Sequence, residues 1–123
     1  MKDQIANRSR KISIEVYKLC KQLEKGLDQN VLGYQLLRSA SSFAANYRAA
    51  CRARSKKEFI AKLSICIEES DETLFWLDFL VDAGVVEIEK IDWLRRETDE
   101  MLAIFTSSKK TALKNLIEDQ NKL

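Results

Sequence analysis

Histidine and proline are both absent from this chain of 123 residues, and glycine (Gly26, Gly33, Gly84) and cysteine (Cys20, Cys51, Cys66) occur only three times each. Without histidine there is no ordinary general base near neutral pH, no Ser-His or Cys-His nucleophile pair, and no imidazole metal ligand. The di-iron type of helical bundle, built on Glu-x-x-His pairs, is excluded for the same reason. An odd number of well-separated cysteines with no CxxC spacing argues against a disulfide framework and fits a reducing cytoplasm. These thiols read as small buried apolar groups. The absence of proline, with few turn dipeptides, leaves little from which to build β-hairpins. No apolar run approaches the length of a membrane span, and the first residues carry no secretory pattern, so a cytoplasmic location is expected.

Apolar residues make up 46% of the chain and charged residues 33%, rich in Leu, Ile, Ala, Lys, Glu and Arg. That balance predicts an all-α fold. The net charge of +2 conceals a separation: residues 1–62 hold 14 Lys/Arg against 5 Asp/Glu, whereas residues 63–105 hold 3 against 12. Such polarity either neutralises itself within the fold or leaves a basic face for polyanions and an acidic one for other partners.

Four helices are predicted, at about residues 2–25, 31–54, 56–83 and 87–117, in one antiparallel up-down-up-down bundle spanning 1–123. The first is expected to stop at Gly26 in a left-handed conformation, the second to start on Asn30, and the third to close on Gly84. Ser55-Lys56-Lys57-Glu58 has the form of a capping box ahead of the apolar run Phe59–Leu63. The fourth helix is free to bend or fray at 106–110, and the last six residues read as a mobile tail. Ile65, Trp76, Phe79, Trp93 and Ile104 lie off the main seams, which predicts either a wide core or a second packing surface in a homo-oligomer.

Two features go beyond a generic bundle. Gln35, Arg38, Ser42 and Asn46 recur every three or four residues and draw a polar line along the second helix. A half-buried arginine there calls for a carboxylate, and Glu68, Glu69 or Glu72 on the next helix can supply it, so a structural polar seam of Gln35, Arg38, Ser42, Asn46, Glu69 and Glu72 is expected to set helix register. The second feature is the hinge, where Arg48, Arg52, Arg54, Lys56, Lys57 and Lys62 surround a single acid, Glu58. Guanidinium forks suit bidentate phosphate contacts, and Arg8, Arg10 and Lys11 are further cations that another helix or subunit can bring near. No P-loop or GxGxxG motif is present, no cofactor or metal is expected, and Glu68, Glu69, Asp71 and Glu72 read as a solvated acidic face. No catalytic residue set is found; the expectation is a protein that is not an enzyme.

The segment from Gln35 to about residue 83 resembles the four-helix bundle family known as the 23S rRNA intervening-sequence protein or S23-like family. The resemblance is carried by Gln35, Arg38, Ser39-Ala40, Ser42, Phe43 and Asn46-Tyr47-Arg48, then the basic hinge Arg52–Lys56 with Phe59-Ile60-Ala61-Lys62-Leu63, then Glu68–Leu77. It departs from the family at Ala49 and Ala50, where many members place an acid. The resemblance implies an antiparallel bundle, a homopentamer with a basic surface, and association with nucleic acid, RNA or DNA, beside RNA or reverse-transcription machinery. Two functions remain open: nucleic-acid binding through Arg48, Arg52, Arg54, Lys56, Lys57 and Lys62, or a protein-interaction scaffold using the acidic half and its aromatics.

Overall fold

In the computed structural model, which describes residues 1–122, the chain forms α1 (Lys2–Gln22), α2 (Leu27–Cys51), α3 (Lys56–Asp82) and α4 (Ile88–Asn121). Among the described residues each helix lies against its neighbours in chain order and α4 returns to α1, while across the diagonals the backbones stay apart and side chains meet, which is the square section of an antiparallel four-helix bundle. The α1–α4 seam is the sparsest of the four. Ile5, Ile12, Val16 and Leu19 from α1 meet Leu36, Ala40, Phe43 and Tyr47 from α2, Leu63, Cys66, Leu77 and Leu80 from α3, and Ile91, Leu94, Met101 and Phe105 from α4 in one core. Spacings of three, four, seven and eleven residues put each set on one helix face.

Small polar residues inside this core let the α2–α3 pair approach closely. The Thr73 hydroxyl shares its one proton between Ser39 Oγ at 2.9 Å and Glu69 O at 2.8 Å, while the Ser39 hydroxyl donates to Leu36 O at 3.0 Å. The Cys66 thiol donates to Phe43 O across the same seam at 3.5 Å. Cys20 donates to Gly33 O at 3.4 Å, so Gly33 is buried beneath α1 in the second turn of α2 and not in its first.

Ser55 caps α3 as its sequence requires: its hydroxyl accepts from Glu58 N at 3.1 Å. The Glu58 carboxylate reaches back one residue further than a capping box does, accepting from Arg54 N at 3.2 Å. At the other end of α3, Gly84 takes φ +74° and the Val85 and Gly84 amides bond Leu80 O and Val81 O, both at 2.9 Å. This double bond pattern needs the left-handed residue that glycine supplies without penalty.

Four expectations are corrected. Gly26 is extended (φ 164°) and stands before α2 as its first flanking residue, while α1 ends earlier, on an extended Leu23. Asn30 therefore lies inside α2, which starts at Leu27. The α2 helix stops at Cys51, three residues short of Arg54, so Ala53 and Arg54 belong to the connection. Finally, α4 runs unbroken through 106–110 and carries the presumed tail in helix as far as Asn121, about 51 Å at 1.5 Å per residue; Leu123 lies outside the described residues. No helix among the described residues is long and apolar enough to cross a membrane.

Candidate nucleic-acid interface

The α2–α3 connection brings one group of cations to one end of the bundle. Arg48 is in the last turn of α2 and Arg52 caps it, Arg54 stands in the connection, and Lys62 lies two turns into α3. Together with Ala45, Ala49 and Glu58 these four residues line an open groove of about 460 Å³. Arg48, Arg52 and Arg54 are exposed and Lys62 is half-buried. None of the four enters an ion pair among the described residues. Ala45 and Ala49 leave the groove floor low, so long side chains rim a space that a smaller anion can enter. The α3 N-terminus adds backbone amides and the positive end of its dipole.

Lys56 and Lys57 are exposed but do not line this groove. Lys56 faces an adjoining cleft shared with Arg54, Lys2, Cys51 and Phe59, and its ammonium pairs with Asp119 near the end of α4. Lys2 adds a cation that sequence reading passed over; its Nζ lies 4.6 Å from the Phe59 ring centre. The only clue to its placement was antiparallel topology, which sets the start of α1 at the same end of the bundle as the start of α3.

Arg8 and Lys11 are not available to this end. Arg8 grips Glu97 through Nε at 2.7 Å and Nη2 at 3.1 Å, and Glu100 through Nη2 at 3.0 Å, clamping α1 to α4. Lys11 sits 5.3 Å from the Trp93 ring centre, and Arg10 is exposed on α1. The hydrogen bonds from Arg8 hold the Glu97 carboxyl below its ordinary range and raise the guanidinium. A lowered carboxylate contributes stability that is complete above its unfolded value and disappears as pH falls through the folded value. In thermal melts, an Arg8→Gln variant is thus expected to lie below wild type at pH 7, and the gap should close below about pH 4. A gap that persists there would show that Arg8 acts by packing alone.

The polar line divides in two. Arg38 donates through Nη1 to Glu69 at 3.1 Å, through Nη2 to Glu72, and through Nε to Gln35 at 3.4 Å; Glu72 also accepts from Trp76 Nε1 at 3.5 Å. Ser42 and Asn46 instead pair within α2, Asn46 Nδ2 donating to Ser42 O at 2.9 Å. Glu68 is exposed and takes no part. The two acids respond oppositely: Arg38 lowers Glu72, while burial raises Glu69 despite the same arginine. With Glu69 only 18% exposed, Arg38→Ala leaves two adjacent carboxylates uncompensated. Arg38 itself is 37% exposed, so the expected cost is about 1 kcal/mol, a fall of about 4 °C in Tm. An unchanged melt and an unchanged sedimentation coefficient would remove the register-setting role.

Two of the three thiols are held neutral by burial. Burial pushes Cys66 up to about 12, and raises Cys20 as well. Among the described residues no group of three or more Cys, Asp or Glu is placed to hold a metal ion.

Among proteins of curated function none matches the chain. A crystal structure of a protein of unknown function from the S23 ribosomal protein family of Bacteroides thetaiotaomicron superposes with a TM-score of 0.82 at 31% identity, covering 89% of this chain and 99% of that one. The family model for the 23S rRNA-intervening sequence protein matches residues 1–107, which takes in α1, α2, α3 and the core-forming part of α4, and the chain belongs to that family.

Proposed function

We propose that this protein binds nucleic acid without catalysis, through the phosphate backbone, as a homo-oligomer serving RNA or reverse-transcription machinery. The observation that carries this reading is the groove at the hinge: three arginines and Lys62 converge on about 460 Å³ with one acid, Glu58, and none of the four is neutralised by an ion pair among the described residues. Unpaired guanidinium groups on a low alanine floor favour a phosphate ligand, since each fork can give two parallel bonds to it. Lys57, Lys56 and Lys2 widen the positive field around the groove, so a strand has cations to follow on either side.

The name of the family, which ties its members to intervening sequences of 23S rRNA, makes RNA the first nucleic acid to try. The residues that line the groove include no aromatic side chain, and Tyr47 is buried in the core, so recognition there rests on charge and backbone shape. Repetition of the groove in a homo-oligomer, a pentamer in this reading, multiplies weak contacts into avidity.

Fluorescence anisotropy with a labelled RNA hairpin and a labelled DNA duplex tests the reading. Four phosphate contacts predict a log–log salt slope near about −3 to −4, which is roughly a hundredfold loss between 50 and 200 mM salt. Absence of binding at the lower salt would make the groove ordinary solvated surface.

A further inference from the structure

The opposite half of α3 has a different character. From Glu68 to Asp82 it carries six acids and no lysine or arginine. Arg38 engages Glu69 and Glu72, and Arg95 from α4 holds Asp78 at 2.7 and 3.2 Å. Glu68, Asp71 and Asp82 enter no ion pair among the described residues. In the same stretch Phe75 is 57% and Phe79 40% exposed. Trp76 joins them, its ring centre 4.9 Å from Phe75 and 5.6 Å from Phe79. Phe75, Asp78, Phe79, Asp82 and Ala83 line an open groove of about 400 Å³.

Aromatic rings left in water beside the Asp82 carboxylate, which enters no ion pair among the described residues, match both halves of one ligand group. A guanidinium stacks on a ring face and donates to a carboxylate in the same pose. An apolar helix would cover the rings but bury Asp82 without a counter-charge, which is costly. An anionic strand would be repelled by the whole face. We propose that this groove docks an arginine side chain of a basic peptide segment from a partner protein, with Phe75 and Phe79 as the stacking surface and Asp82 as the acceptor, Asp78 being held by Arg95.

This surface and the hinge groove lie towards opposite ends of α3, whose 27 residues extend about 40 Å. Both can therefore be occupied at once, and the inference does not rest on nucleic-acid binding.

The test titrates the full chain into a fluorescein-labelled oligoarginine peptide at about 50 mM salt, with oligolysine and oligoglutamate peptides as comparisons. Saturable binding is expected, tighter for arginine than for lysine and absent for glutamate. Phe75→Ala/Phe79→Ala removes no charge, yet should weaken it roughly tenfold, the combined loss expected of two surface cation–π contacts. Both side chains are exposed, so the double variant should stay folded. In a Trp93→Phe background, Trp76 emission should change on binding, reporting the site directly. Replacing the hinge cations should leave the arginine peptide bound, which separates this surface from the groove at the other end. Unaltered peptide affinity in the double phenylalanine variant would overturn the proposal by reducing it to general attraction. So would failure of wild type to bind, and a double variant that then dissociates an oligomer would identify the face as a contact between copies of the chain.

Discussion

Changing Arg48, Arg52, Arg54 and Lys62 together to glutamine is expected to weaken RNA-hairpin binding by about a hundredfold to a thousandfold at low salt, and to flatten the log–log salt slope by about three. The magnitude follows from four phosphate contacts, each charge-assisted and each lost with its counterion release. The four side chains point from the surface and three are exposed, so their removal should move the melting temperature by no more than a few degrees. This decoupling of binding from stability is the diagnostic part. Retained affinity in the folded quadruple variant would move the nucleic-acid contact elsewhere. Loss of affinity with an unfolded protein is guarded against by circular dichroism on the same sample.

The second large effect is structural. Phe105 is fully buried in the core and reaches from α4 across the bundle to α2, its ring centre 5.9 Å from Phe43 in an edge-on contact and 5.2 Å from Tyr47. Phe105→Ala removes a ring on which two others lean, and a cost of about 3–5 kcal/mol is expected. That is a large share of the roughly 5–15 kcal/mol that holds a domain of this size together. Urea unfolding followed at 222 nm should show the midpoint fall steeply, with Phe105→Leu losing much less. A loss below about 1 kcal/mol would mean that the core around Phe43 and Tyr47 repacks around the void. Because Tyr47 is one residue from Arg48, the same substitution is expected to loosen the positioning of the hinge cations before it unfolds the chain.

Much of this architecture was legible because it depends on local rules. The period of Ile5, Ile12, Val16 and Leu19, and of Leu36, Ala40, Phe43 and Tyr47, assigns each helix its buried face whatever it packs against. Ser55 and Gly84 mark helix ends through hydrogen bonds to residues within one turn, and both marks stand in the structure. Gly26 misled, because a glycine after a helix fits a left-handed stop and an extended link to the next helix equally well. Which it adopts depends on how α1 and α2 meet, and Gly33 under Cys20 settles that geometry from a distance.

Side chains whose partners lie far along the chain were less readable. Arg8 counted as a cation like any other, yet 89 residues on Glu97 claims it, and Asp119 similarly claims Lys56. The wide core absorbed Trp76 and Ile104 against the central cluster but left Phe79 and Trp93 exposed, and Phe75 more exposed still. Periodicity alone could not separate them, because a residue on the edge of a stripe is covered only if the neighbouring helix is close at that height.

Composition and spacing by themselves determined the helical class, the number of helices, the capped start of α3 and the polarity of the chain from basic to acidic. These follow from backbone propensity and short-range hydrogen bonding. Only the tertiary structure decided which cations stay unpaired. It spends Arg8, Arg38 and Lys56 on carboxylates of other helices and leaves Arg48, Arg52, Arg54 and Lys62 around one groove. The physical reason is that ion pairing depends on distance through space, which falls within reach only after the helices are set side by side.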